Sequence, residues 1–205
     1  MSNDALVFIV DDEPSSRQAI ESLVRGRGLH AEALSSTAEL LSRYRGEPGC
    51  VVTDLAATVS EGDDVQVELK RRGWSIPVIA LTAGAPTAAV VRAMRNGAVT
   101  VLDKPCSEND LWQAIAEALA LDLERRRHRE EMAGIRARFA SLSDKERDVL
   151  RMIVSGRPNK AMANALGASL RTIENRRREV FSKLGVRSVA ELVTLTLKFE
   201  GREDL

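Results

Sequence analysis

Five short apolar segments recur through the first 120 residues, and helix-length stretches separate them. The apolar segments lie near residues 6–10, 30–34, 50–53, 76–81 and 99–102. They show little alternation of apolar and polar residues, which is typical of strands buried on both faces of a parallel sheet. Helices are predicted near residues 14–27, 36–44, 63–72 and 87–96, with a further one starting at 108. The pattern predicts an α/β domain with a doubly wound sheet of five parallel strands.

Charged residues follow three of these apolar segments. Asp11 and Asp12 follow the first, Asp54 the third and Lys104 the fifth. Because the carboxyl ends of parallel strands lie along one edge of a sheet, we expect these side chains to meet there. Three carboxylates in one place repel one another unless a cation such as Mg²⁺ or Mn²⁺ joins them. One carboxylate could then accept a phosphoryl group, with Lys104 and the hydroxyl of Thr82 binding its oxygens. The alternative is that each acid caps a neighbouring helix.

The two halves of the chain carry opposite charge. Residues 1–120 hold 17 acidic and 11 basic side chains, whereas residues 141–205 hold 9 acidic and 13 basic ones. The asymmetry indicates two domains with different partners, and the basic one suits nucleic acid as well as simple solubility. No signal-peptide pattern opens the chain, and no apolar run reaches the ~18 residues that a bilayer span needs. We expect a cytoplasmic protein with no membrane partner.

A charged segment joins the two halves. Residues 121–140 contain no proline and no glycine before Gly134, and their composition favours a helix. We predict a helix over residues 108–138 that serves as a stiff linker, with a flexible charged linker as the alternative. The predicted organisation is therefore residues 1–120, a helical linker at 121–140, and a second domain at 141–205.

The second domain is predicted to be all-α, with four helices. Ser143 and Ser188 each begin an S-x-x-E capping box, and glycines at 167 and 185 separate helices. A helix over 159–166, a glycine turn and a helix over 170–184 form a helix-turn-helix pattern. The second helix of such a motif typically enters the major groove of DNA. The plainer alternative is an ordinary solvated helical face.

Residues 1–120 resemble the receiver domain of two-component response regulators. The matching motifs are Asp11-Asp12, Asp54, Thr82-Ala83, Gly97-Ala98 and Lys104-Pro105. The resemblance implies that a histidine kinase phosphorylates Asp54 and that Thr82 and Lys104 bind the phosphoryl group. The implied Mg²⁺ ligands are the carboxylates of Asp11, Asp12 and Asp54 and the main-chain carbonyl of Ala56. A cis peptide bond between Lys104 and Pro105 is also implied.

This receiver-like sequence departs from the family pattern at three places. Ala57 and Thr58 stand where the family commonly has Met-Pro, and the loop that follows keeps only its glycine, Gly62. Val101 stands where the family usually has the Tyr or Phe that turns inward on activation. A valine has no ring to move, so switching linked to Thr82 should use a smaller rearrangement.

Residues 141–199 resemble the LuxR-type output domain. The signature comprises Leu142 to Leu150, Asn159-Lys160, Leu166-Gly167, Ser169 to Glu174, and Lys183 to Ser188. The resemblance implies binding to double-stranded DNA, with Lys160, Thr172 and Lys183 mainly on phosphates. Base edges are assigned to Glu174, Asn175 and Arg178, and Arg171 is also predicted to face outward. Arg176 stands where many members have His and adds a charge.

The last predicted helix resembles the dimerisation helix of the family through Leu192, Leu195 and Thr196. These side chains could instead complete the core of their own domain.

Together the resemblances identify the chain as a member of the FixJ/NarL type of response regulator, a transcription regulator rather than an enzyme. We expect phosphorylation of Asp54, a homodimer, and binding to paired DNA half-sites. Val101 and Thr58 favour one alternative, a phosphorylation-independent DNA-binding dimer whose receiver is only an interaction platform. A second alternative, an aspartyl-phosphate phosphatase, would need a general acid beside Asp54, and Ala56 offers none.

Overall fold

The computed structural model describes residues 5–55 and 64–201. The chain divides into two compact units, Met1–Arg126 and Arg127–Leu205. The first contains a five-stranded sheet with helices around it, and the second is helical. Both halves of the predicted fold class are therefore confirmed.

The sheet of the first unit is fully parallel. Its strands are β1 (Leu6–Val10), β2 (His30–Leu34), β3 (Gly49–Asp54), β4 (Val78–Thr82) and β5 (Ala98–Asp103), in the spatial order β2-β1-β3-β4-β5. The helices between them are α1 (Pro14–Gly26), α2 (Thr37–Arg43), α3 (Val65–Arg71) and α4 (Thr87–Arg95). β4 begins at Val78 rather than at 76, because Pro77 has no amide proton for the ladder.

Successive residues of each strand point to opposite faces of this sheet, and apolar side chains fill both faces. On β1, Val7 and Ile9 belong to a core that includes Ile115, whereas Phe8 and Val10 belong to a separate core on the other face. All four side chains are at most 1% exposed. Burial on both faces explains why the strands read as continuous apolar runs in the sequence.

Helix α5 (Glu108–Ala140) is 33 residues long and contributes to both units. Ile115 near its start is buried in the first core, and Ile135 and Phe139 near its end are buried in the core of the second unit. The segment predicted as a linker, residues 121–140, is thus helical. Its residues are divided between the two units, whose boundary in the chain lies after Arg126.

Two charged residues of α5 hold this helix to the start of β3. Asp122 is buried, and its Oδ2 accepts hydrogen bonds from the amide of Gly49 at 2.9 Å and from Arg126 Nε at 2.6 Å. The Arg126 guanidinium also donates to the carbonyl oxygens of Gly46 and Glu47. These bonds give Oδ2 of a buried carboxylate two donors and join α5 to the edge of the sheet opposite the strand C-termini.

The second unit contains the end of α5 and four further helices, as predicted. They are α6 (Asp144–Val154), α7 (Asn159–Ala165), α8 (Leu170–Leu184) and α9 (Val189–Glu200). Ser143 and Glu146 form a reciprocal capping box at the start of α6, and Gly185 ends α8 in the left-handed region at φ 69°. Among residues 5–55 and 64–201, no helix is long and apolar enough to cross a membrane.

Replacing Gly49 with alanine should destabilise the first unit. An added Cβ would lie 1.9 Å from the backbone oxygen of Leu6, and neither strand can shift without breaking the ladder. We expect a loss of about 1–3 kcal/mol in the free energy of unfolding. Urea denaturation followed by tryptophan fluorescence measures this, because both tryptophans, Trp74 and Trp112, lie in the first unit.

The matched control is Gly26→Ala in the same unit. Gly26 is the last residue of α1, and a Cβ there would meet nothing within 4 Å. It should leave stability unchanged or raise it by up to about 1 kcal/mol. Equal denaturation midpoints for the two variants would contradict the packing argument.

Candidate functional site

The carboxyl ends of β1, β3 and β5 bring two acids and a lysine together. Lys104 follows β5, and its Nζ lies 2.8 Å from Asp11 Oδ2 and 2.5 Å from Asp54 Oδ2. Asp11 and Asp54 are 1% and 8% exposed, so both carboxylates sit in a largely buried position. The juxtaposition predicted from the strand ends is therefore present for these three residues.

The charges of this site stabilise one another. Burial opposes ionisation of Asp11, but hydrogen bonds from Lys104, Ser16 and the amide of Glu13 outweigh it and lower the pKa of Asp11. Burial likewise opposes the charged form of Lys104, yet hydrogen bonds to Asp11 and Asp54 raise the pKa of its ammonium group. The site thus holds a protonated lysine between acids, with more negative than positive charge.

Three residues around Asp11 were not predicted from the sequence. Ser16 Oγ donates to Asp11 Oδ2 at 2.7 Å, and the amide of Glu13 donates to Oδ1 at 2.9 Å. Arg17 donates to the main-chain oxygen of Asp11. All three lie at or just before the first turn of α1, which follows the Asp pair directly. That position was the available signal, although which side chain turns back to Asp11 depends on its rotamer.

Thr82, at the end of β4, lies at the same edge. Its side chain is buried, and its Oγ1 accepts a hydrogen bond from the amide of Ala85 at 2.9 Å. Its carbonyl oxygen accepts a bond from the amide of Lys104 at 2.6 Å. A hydroxyl that already accepts one bond still has its proton to donate to an incoming oxygen.

The other predicted metal ligands are the carboxylate of Asp12 and the main-chain carbonyl of Ala56. Asp12 is exposed, and among the described residues no three acidic, histidine or cysteine side chains converge on a metal-sized position. Ala56 lies outside the described residues, as do Ala57, Thr58 and Gly62. Asp11 and Asp54 nevertheless supply the hard anionic oxygens that Mg²⁺ prefers. Since two carboxylates face one ammonium, the donor set and its excess negative charge fit a divalent cation.

Two further expectations concern β5 and the residues after it. The Lys104–Pro105 peptide bond is cis, as the receiver resemblance implied. Val101 is half-buried on β5, opposite Ala80 of β4. The position that usually carries a mobile aromatic ring thus holds a short side chain on a paired strand.

In the second unit, α7 and α8 form the predicted helix-turn-helix. Gly167 makes the turn at φ 58°, and Ser169 caps α8 by accepting from the amide of Thr172. Ile173, Val180 and Leu184 are buried on one face of α8. The opposite face presents exposed or half-buried side chains, which include Arg171, Thr172, Glu174, Asn175, Arg176 and Arg178, and Lys160 on α7 is exposed.

Helix α9 mainly completes the core of the second unit. Leu192 is fully buried, Leu195 packs against the same core, and the Thr196 hydroxyl donates to the carbonyl oxygen of Leu192 at 2.8 Å. Of the two roles considered for these residues, the structure favours the intradomain one. The large apolar side chains that α9 leaves exposed are Val189, Leu197 and Phe199.

Comparison with known proteins matches both units. Residues 7–116 match the response regulator receiver domain, and residues 140–196 match the LuxR family of bacterial regulatory proteins. Nodulation protein W of Bradyrhizobium diazoefficiens is 34% identical over 95% of this chain and 86% of that protein. The transcriptional regulatory protein FixJ of Azorhizobium caulinodans is 33% identical over 93% of this chain and 91% of that protein.

A solved structure agrees over nearly the whole length. The structure of response regulator StyR has a TM-score of 0.87 and 35% identity, and covers 95% of this chain and 99% of that chain. The fold and the acidic edge define a receiver domain joined to a helix-turn-helix domain. The chain belongs to the two-component response regulators with a LuxR-type DNA-binding domain, a class of transcription regulators.

Replacing Lys104 with methionine should raise the pKa of Asp11, because the ammonium group that stabilises its carboxylate is removed. NMR titration of the ¹³C-labelled carboxyl carbons measures this directly. Because folding lowers the pKa of Asp11, its ionised carboxylate stabilises the fold at pH values above the ordinary titration range of aspartate. This contribution is lost as the pH falls through the lowered pKa. The variant should therefore lose less stability on acidification than the parent.

Lys70→Met is the control, because Lys70 is an exposed lysine of α3 in the same unit. It should leave the titration of Asp11 unchanged. An unchanged Asp11 pKa in the Lys104 variant would show that the ion pair does not form in solution.

Proposed function

We propose that this chain is a phosphorylation-regulated transcription regulator in which Asp54 accepts a phosphoryl group from a histidine kinase. The observation that carries the proposal is the contact of Lys104 Nζ with both Asp54 and Asp11 at the carboxyl edge of the sheet. A buried carboxylate beside a fixed ammonium group is suited to accept a phosphoryl group, because the lysine can neutralise its oxygens.

The transfer uses groups that already lie at this edge. A carboxylate oxygen of Asp54 attacks the phosphorus, and the bond from phosphorus to the kinase histidine breaks, leaving the electron pair on the imidazole nitrogen. Lys104 and the hydroxyl of Thr82 then bind phosphoryl oxygens. Asp11, Asp12, Asp54 and the carbonyl of Ala56 would hold Mg²⁺. The bound ion would supply positive charge to the phosphoryl oxygens.

Incubation of the full chain with acetyl phosphate and Mg²⁺ tests this assignment. We expect one phosphoryl group per chain by intact mass, and its loss in Asp54→Asn, which keeps the size of the side chain but removes the nucleophile. Asp103→Asn is the control, because Asp103 is an exposed acid at the end of β5. A phosphoryl adduct that persists in Asp54→Asn would reject Asp54 as the acceptor.

We further propose that α8 reads double-stranded DNA. Arg171, Glu174, Asn175 and Arg178 are exposed on it. Asn can pair bidentately with adenine and Arg with guanine, which suits Asn175 and Arg178 to base edges. Arg178 also donates to Asn175 Oδ1 at 3.2 Å, so the two side chains lie close together. Lys160, Thr172 and Arg176 are assigned to the phosphate backbone, which positions the domain without reading sequence.

Asn175→Ala should change sequence preference rather than only weaken binding. We expect a loss of about 1–3 kcal/mol at one base pair of the site, because an adenine contact is removed. Selection from a random DNA pool followed by sequencing measures the preference at each position. Asn164→Ala on α7 removes another exposed asparagine of the same motif and should leave the preference unchanged. Identical profiles for the two variants would reject the base contact.

A second candidate function rests on Val101. Without an aromatic ring there, the receiver could serve as an interaction platform in a DNA-binding homodimer that needs no phosphorylation. Comparing the DNA affinity and the oligomeric mass of the full chain before and after acetyl phosphate treatment separates the two functions. An increase in both supports regulation by phosphorylation, whereas constant values support the platform.

A further inference from the structure

Lys183 differs from the other predicted DNA contacts, because its ammonium group is bonded within the domain. It lies in the last turn of α8, and its Nζ donates to the Glu146 carboxylate at 2.9 Å from Oε1 and 2.7 Å from Oε2. It also donates to the carbonyl oxygen of Ser141 at 3.3 Å. An ammonium group has three protons, and these three acceptors account for them. A DNA phosphate would have to displace at least one.

Separating Lys183 from Glu146 would be energetically costly. It is 7% exposed, and its carboxylate also accepts from the amide of Ser143 at 2.7 Å to complete the capping box of α6. The hydrogen bond from Lys183 is the main reason that the pKa of Glu146 is lowered, so this carboxylate is ionised at neutral pH. Withdrawing the lysine would leave a buried carboxylate short of a partner, which is costly.

Helix α5 also forms a hydrogen bond with the C-terminal end of α8. Arg138 donates from NH1 to the carbonyl oxygen of Leu184, the last residue of α8, at 2.7 Å. This carbonyl has no partner inside its own helix, and a guanidinium group is favourable near a helix C-terminus. Arg138, Glu146 and Lys183 therefore form one cluster, here called the α8 clamp, that joins the C-terminal end of α8 to α5 and α6.

We propose that the α8 clamp positions the recognition helix, and that Lys183 acts as a positioning residue within it rather than as a phosphate contact. The proposal rests on the proposed DNA-binding role of α8. In that role the N-terminal part of α8 contacts the DNA bases. The contacts of the α8 clamp at the C-terminal end fix the angle of this helix. The linker helix α5 takes part directly, through Arg138.

The salt dependence of DNA binding distinguishes a positioning lysine from a phosphate contact. Each phosphate contact that is lost lowers the slope of log affinity against log salt by about 0.9, whereas loss of positioning lowers affinity at every salt concentration alike. The full chain, treated with acetyl phosphate, is titrated with a duplex that the wild-type protein selects from a random pool. Lys183→Met is compared with Lys160→Met, since Lys160 is exposed on α7 and forms no ion pair among the described residues.

Lys160→Met should lower the slope by about 0.9. Lys183→Met should keep the wild-type slope and lower affinity on the order of tenfold. Glu146→Gln should lower affinity to a similar extent, and the double variant should be no weaker than either single one, because both remove the same interaction. A slope reduced equally in both lysine variants, or an affinity unchanged in Glu146→Gln, would overturn the proposal.

A pair of arginine variants tests the clamp without disturbing the buried ion pair. Arg138→Met and Arg136→Met each remove one positive charge from α5, but only Arg138 bonds to α8, and Arg136 is exposed. We expect weaker DNA binding for Arg138→Met alone, with an unchanged slope. Equal DNA affinities for the two variants would overturn the claim that α5 takes part in the α8 clamp. Absence of salt-dependent DNA binding by the wild-type chain would instead overturn the proposed function itself.

Discussion

The common direction of the five strands is the constraint on which the site depends. Lys104 and Asp11 are 93 positions apart in sequence, yet their side chains meet because β1 and β5 end at the same edge of the sheet. Both faces of the sheet are covered by apolar cores, so the side chains that follow the strands lie at the rim of a packed domain. In that setting the Lys104 ammonium is held by two carboxylates at once, and the ionised state of Asp11 depends on it.

The strand ends could be predicted because the information is local. A buried parallel strand appears in the sequence as an apolar run, and the residue that follows it must lie at the rim. Asp11, Asp54 and Lys104 were located in this way. β4 was predicted two residues too long at its start, because Ile76 is buried like a strand residue while Pro77 has no amide proton to donate to the ladder.

Contacts that depend on side-chain rotamers could not be predicted. Ser16 reaches Asp11 from the first turn of α1, and Asp122 reaches the amide of Gly49 from a helix that begins 59 residues later. Neither pair has a spacing that a sequence pattern reveals. The contacts of Lys183 are a further example of contacts that could not be predicted from the sequence. Its family position suggests a phosphate contact, while its bonds to Glu146 depend on how α6 packs against α8.

A phosphoryl group on Asp54 would change the charge that Lys104 faces. The carboxylate carries one negative charge, whereas an acyl phosphate carries close to two, so the ammonium group would be drawn from Asp11 towards the phosphoryl oxygens. The amide of Lys104 is bonded to the carbonyl of Thr82, and movement of the lysine is thereby coupled to the end of β4. Because Val101 has no ring to rotate, the hydrogen bond from the Lys104 amide to the Thr82 carbonyl would link the phosphoryl site to β4 through the backbone instead.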